Sequence, residues 1–133
     1  MLKIKNLLIV KVVILIAFLS YSFQATAKDN QSRTNYEIKI LLEFVQTSQC
    51  QFNRNGSWYE SVEAAKHINK KYQYALKKGS VETAEDFINY AATKSSFSGK
   101  EYTVRCKDGL SLKSAAWLTS ELRLLRKNKE KSL

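Results

Sequence analysis

His67 is the single histidine of the chain and the only side chain whose ordinary titration falls near neutral pH. As a general base it would need a hydroxyl to activate and a carboxylate to orient it. Ser95, Ser96 and Ser98 supply hydroxyls, so a small periplasmic hydrolase using His67 with a serine of the 95–98 loop is one reading. No GxSxG elbow or other nucleophile signature surrounds those serines. A histidine between Glu63 and Lys71 at four-residue spacings is more often a half-buried helix residue that bonds a neighbouring loop, and no catalytic set is assigned. Glu60, Glu63, Glu85 and Asp86 could form the paired carboxylates of a glycosidase, but Glu85 and Asp86 open a helix and Glu60 and Glu63 fit an exposed first turn.

Polar groups without an obvious structural duty collect in two short segments. Ser96, Ser98, Lys100 and Tyr102 belong to a serine-rich loop that leads into a strand, and loops carry function disproportionately. Arg54 sits at a hairpin tip with Trp58 on the following strand, a cation beside an aromatic that suits an anionic or sugar-bearing partner. These six residues are the expected binding surface of a non-catalytic binding or inhibitor-type module. Its partner is expected to be an envelope protein or an anionic glycan.

The elements that must position them are legible as spacings. Thr34 with Glu37 has the form of a capping box, and Tyr36, Ile38, Leu41, Leu42 and Val45 predict a helix over 35–47. Asn55-Gly56 between 50–54 and 57–59 predicts a hairpin, because a type I′ turn needs positive φ at both central positions. Ser61 is expected to cap a helix over 62–78 that stops at Gly79. Thr83, followed by Glu85 and Asp86, caps a short helix over 84–93. Residues 102–106 alternate like a strand, Lys107-Asp108-Gly109 turns the chain, and Ser114 caps a last helix over 115–127. This order implies an α+β fold with about four helices on a small antiparallel sheet, formed by the hairpin plus one C-terminal strand.

Residues 1–27 read as a signal peptide, with Lys3 and Lys5, an apolar stretch from Leu7 to Leu19 broken by Lys11, and Ala25-Thr26-Ala27 before Lys28. The uncharged run from Val12 to Leu19 is too short to span a bilayer, so no stable membrane insertion is expected after cleavage. The expected location is periplasmic or secreted. There, the only two cysteines, Cys50 and Cys106, are expected to form one disulfide, closing a 56-residue loop worth roughly 4 kcal/mol. A metal pair would need further ligands, and no CxxC spacing exists, so neither metal nor cofactor is expected.

At 44% hydrophobic and 26% charged, with no proline and four glycines, the 133-residue chain reads as globular rather than disordered. The net charge of +10 falls to +7 once Lys3, Lys5 and Lys11 leave with the leader. Much of the rest lies in the basic tail, where Arg126, Lys127, Lys129 and Lys131 face a single Glu130. Specific nucleic-acid binding by the body is therefore not expected. The organisation reads as 28–33 flexible, 34–126 one globular domain, and 127–133 a basic tail.

Several blocks in one order resemble a family of small exported bacterial proteins catalogued as domain of unknown function 5329. They are Glu37-Ile38 with Leu41-Leu42, Ser48-Gln49-Cys50-Gln51-Phe52, Arg54-Asn55-Gly56, Ala64-Ala65-Lys66-His67 with Lys71, Thr83 to Ile88, Ser95 to Lys100 with Tyr102, Val104 and Cys106, and Trp117-Leu118. The resemblance implies export and one domain with paired cysteines, and it implies no activity. Separately, Ser98-Gly99-Lys100-Glu101-Tyr102 is similar to the SGxxY segment of a family of periplasmic lysozyme inhibitors, where hydroxyl and ammonium groups enter a cleft lined with carboxylates.

Overall fold

The computed structural model describes residues 2–107 and 109–132; Asp108 of the expected turn lies outside the described residues. So do the side chains of residues 2, 8 and 15–26, which include part of the leader's apolar stretch and Ala25-Thr26 of the expected cleavage site. The chain divides into two compact units at Arg33/Thr34. The first unit is helical, as part of α1 (Leu2–Thr47), and exposes Ile4, Leu7, Ile9, Val12 and Val13. Residues 28–33, expected to be flexible, are helical and exposed. No helix among the described residues is long and apolar enough to cross a membrane.

The second unit is an α+β fold. After the end of α1 come β1 (Gln51–Arg54), β2 (Ser57–Glu60), α2 (Ser61–Lys77), α3 (Ala84–Ala91), β3 (Thr103–Arg105), β4 (Ser111–Lys113) and α4 (Ser114–Lys131). The sheet is antiparallel throughout, in the order β2-β1-β3-β4. Asn55 (φ 54°) and Gly56 (φ 90°) make the two-residue hairpin turn with both central φ values positive. β4 extends the expected three strands to four. It is three residues long and exposed along its length, too short for an alternation of polar and apolar residues to mark it.

Cys50 and Cys106 are joined in a disulfide, just before β1 and just after β3, where antiparallel pairing of Gln51 with Arg105 brings the two Cα atoms within 4.3 Å. The bond staples β1 to β3, the two central strands of the sheet.

Two helices begin without the caps expected of them, for one reason. α2 and α4 spring directly from β2 and β4, so the extended residues Glu60 and Lys113 occupy the cap positions. Ser61 is freed to donate its hydroxyl to the Gln46 carbonyl at 3.0 Å, and Ser114 is wholly buried. Thr34 and Glu37 likewise form no capping box, because α1 (Leu2–Thr47) does not start there. Thr34 Oγ1 instead donates to the Glu82 carbonyl, and Glu37 turns to Arg126. At Thr83 the capping box does form, with Asp86 as its partner.

α2 covers the β1/β2 half of the sheet, α4 the β3/β4 half, and α3 packs on both helices. Leu41, Val45, Phe87, Val104, Leu118 and Leu122 are fully buried, each contributing about 1.5–3 kcal/mol. Trp117 stacks on Phe44 at 4.4 Å and meets Phe52 edge-on at 5.6 Å. Arg126 closes this side. Its guanidinium donates to both carboxylate oxygens of buried Glu37 at 3.0 and 2.9 Å and also pairs with Glu85. Arg126 is thus a partly buried, neutralised cation of the domain rather than of the tail, and Glu85 serves this pair rather than the helix start alone. The helix continues to Lys131, so residues 127–131 are helical, their lysines favoured by the C-terminal dipole.

Candidate binding surface

Strand alternation decides which residues of the hairpin share a face. Phe52 and Arg54 point the same way from β1, and the register pairs Phe52 with Tyr59 and Arg54 with Ser57. Trp58 pairs with Asn53 and therefore projects from the opposite face. Arg54 accordingly lies over the Tyr59 ring at 4.3 Å, while Trp58 carries Arg105 at 3.8 Å. The expected partnership of Arg54 with Trp58 is not formed. Arg105 in turn donates to Gln51 Oε1, whose amide donates to Glu60 Oε1, so Trp58 belongs to a cross-strand network on the other side of the sheet.

Arg54 instead joins residues of α2 and of the segment before β3. A small cavity of about 20 Å³ is lined by apolar Phe52, Ala64 and Ile68 with Arg54, His67 and Tyr102. Tyr102 is buried, and its hydroxyl lies 3.2 Å from His67 Nε2. Lys71 Nζ donates to the Lys94 carbonyl at 2.5 Å, reaches the Tyr102 hydroxyl at 3.5 Å and sits over the Tyr102 ring. Burial, and then the positive charges of Arg54, Lys71 and Lys70, hold the His67 pKa down to about 4. Burial, and then Arg54, also lower the Lys71 pKa, and burial raises that of Tyr102.

Two chemical consequences follow. At neutral pH His67 is an uncharged ring engaged with Tyr102. The bond required by the hydrolase reading, from His67 Nε2 to a serine hydroxyl, is replaced by this one. The second consequence is electrostatic, because every charge that shifts His67 is positive. Such a cluster favours an anionic group beside it.

The serine loop is braced on itself and on the hairpin tip. The bridge between Lys94 and Glu101 closes its base. Inside it, Ser95 Oγ accepts from the backbone N–H groups of Phe97 and Ser98, and the Ser95 carbonyl accepts from Gly99. Ser98 Oγ donates to Asn55 Oδ1 at 2.5 Å, and Asn55 Nδ2 reaches Ser95 Oγ at 3.4 Å. Ser95 is therefore a buried structural hydroxyl, and Ser98 is half of a clamp between loop and hairpin. Phe97 stands 99% exposed at the crest, with exposed Lys100 beside it.

Of the six expected binding residues, Arg54 and Tyr102 share the cavity, Ser98 joins the tip, and Lys100 is exposed on the same loop. Ser96 lines a wider groove with His67, and Trp58 is on the other face. Tyr102 points inward, so the SGxxY likeness does not extend to an outward-facing tyrosine. Lys71 was not expected at the surface, and Asn55, Tyr59 and Phe97 belong to the expected segments without being among the six residues named. Lys71 could have been found from its four-residue spacing to His67, whereas Asn55 was already accounted for by turn geometry.

Residues 32–126 match a family model described as a family of unknown function, DUF5329. The chain belongs to this family. The match contains the disulfide, the hairpin tip, the serine loop and the whole Arg126 network, and it ends where the lysine-rich residues begin. No curated protein and no solved structure matches the chain.

Proposed function

We propose that the protein is an exported, non-catalytic binding module of the bacterial envelope, of inhibitor type, which docks a partner protein through the joined hairpin tip and serine loop. The observation that carries this reading is the braced crest. A loop clamped by Ser95 and by the Asn55–Ser98 contact holds an aromatic ring almost wholly in water. Exposing a phenyl group costs solvation free energy, and fixing it beforehand lowers the entropy lost on docking. An aromatic anchor in a rigid loop suits a concave pocket, and Lys100 on the same loop with Arg54 on the adjoining hairpin suits an acidic rim. Export is supported by the leader pattern and by the disulfide, which persists in oxidising compartments.

The test is site-directed cross-linking in cells. A photoreactive phenylalanine analogue at position 97 should give one discrete adduct, and the same group at Trp58 on the opposite face should not. Arg54→Ala and Lys100→Ala should each weaken capture of the cross-linked partner by about 1–3 kcal/mol. Adducts from Trp58 alone, or capture indifferent to both substitutions, would refute the assigned face.

A further inference from the structure

A second concave feature lies along α2 and reaches the serine loop at Ser96. It encloses about 560 Å³, within the size range of small-ligand sites, and none of the residues lining it is acidic. Lys70, Lys71 and Lys78 supply three ammonium groups, and the tyrosines Tyr74 and Tyr90 are 66% and 49% exposed.

The charges are not explained by helix electrostatics alone. Lys78 follows the last turn of α2 and benefits from the dipole there, but Lys70 and Lys71 lie in the middle of the helix. Lys70, Tyr74 and Lys78 succeed one another at four-residue intervals, so they form one ridge in which a cation, a ring and a cation rise about 6 Å per step. No acidic residue lines the groove, so these cations are left to attract an anion from outside. Lys71, held by the Lys94 carbonyl and the Tyr102 hydroxyl, gives the groove a fixed cation at its inner wall.

A ligand that satisfies this arrangement carries acidic groups separated by apolar faces over about 12 Å. Lysines act as point charges without a bidentate demand, which suits a flexible polymer, and exposed tyrosine rings offer flat faces for the C–H side of a sugar ring. We infer that the α2 groove binds an acidic oligosaccharide, with uronate-type carboxylates on Lys70, Lys71 and Lys78 and sugar rings on Tyr74 and Tyr90. This site meets the serine loop at Ser96 but does not include Phe97.

Titration of the purified protein with hexagalacturonate, followed by calorimetry, should give saturable binding that weakens with salt. A neutral glucose hexamer should give none. The double variant Lys70→Gln/Lys78→Gln should weaken binding at least tenfold and Tyr74→Ala about fivefold, while Phe97→Ala leaves it unchanged. Absence of saturable binding, indifference to the double variant, or equally tight binding of a thymidylate hexamer would each overturn the inference. Because cross-linking from position 97 and the oligosaccharide titration read different residues, failure of one site is distinguishable from failure of the other.

Discussion

Two charged regions of this small domain are built from similar residues and differ in what neutralises them. On one side, Arg126 is clasped by Glu37 and Glu85, linking α4 to α1 and α3. On the other, Arg54, Lys71 and Lys70 surround His67, and the charges shifting it are all of one sign. A cation that finds its carboxylates within the fold is spent on stability. Cations gathered without them lower stability slightly and leave a demand for an external anion. The contrast separates architecture from function more sharply than exposure does, since Lys71 is as well anchored as many core polar groups.

The largest effect should come from breaking the paired side. Arg126→Ala leaves the Glu37 carboxylate buried without its bidentate donor, and the expected loss is about 3–5 kcal/mol by urea denaturation. Arg126→Lys keeps a charge but loses the fork, and should recover only part of that loss. If Arg126→Ala costs under about 1 kcal/mol, the pair is a surface contact and the contrast fails.

The pH dependence should separate the two regions next. His67 is ordinarily half-protonated at 6.5 and here only near 4. Above about 6.5 it is neutral whether folded or unfolded, so it contributes no slope. As pH falls from there towards 4, the unfolded chain takes a proton that the folded chain refuses, and stability declines, by about 1–2 kcal/mol for a ring still partly in contact with water. The hydrogen bond from Arg126 holds the Glu85 carboxyl below its usual range, and those from Thr83 and Glu82 do the same for Asp86. Their contributions are present above about 4.5 and lost as pH falls further. A melting series from pH 7 to 3 should show two declines, and His67→Gln should remove only the upper one.

How much of this was legible follows from the range of each interaction. Asn55-Gly56, the Thr83–Asp86 cap and the two cysteines signal through local geometry or simple pairing, and the structure contains all three. Glu37 was misread because a Thr-x-x-Glu spacing is identical whether the carboxylate turns back to its own backbone or reaches Arg126, 89 residues away. The serines at 61 and 114 were misread because strands that run straight into helices leave no loop residue for the cap. The cationic cluster was invisible because Arg54 and Lys71 meet only when β1 lies under α2, an encounter that no periodicity encodes.

A smaller effect is expected at the one cap both sequence and structure contain. Thr83→Ala removes the hydroxyl that accepts from the Asp86 N–H and donates to its carboxylate, and should cost about 1 kcal/mol. Since Glu85 lies two residues further on in the same first turn, the substitution should also weaken the Arg126 pair, so the Thr83→Ala/Arg126→Ala double variant should lose less than the sum. Strict additivity would show that the cap and the pair act separately.

The smallest stability effect, and the sharpest test of the contrast, belongs to Arg54. Its guanidinium lies over Tyr59 and, among the described residues, no carboxylate closes on it in the manner of Arg126, so Arg54→Gln removes a repulsion at His67 as well as a ring contact. The two changes oppose each other, and the melting temperature should move by the equivalent of no more than about 0.5 kcal/mol. The His67 titration should nevertheless respond. Taking away one of the cations that depress it raises its pKa from about 4 towards 6.5, while burial, the larger cause, keeps it below that value. Imidazole proton shifts followed by NMR would read this directly, and Lys71→Gln should move the same resonance the same way. An Arg54→Gln protein that unfolds as readily as Arg126→Ala would place Arg54 among the structural cations. An unmoved His67 titration would instead show that burial alone sets it, and the one-signed cluster would lose its electrostatic meaning.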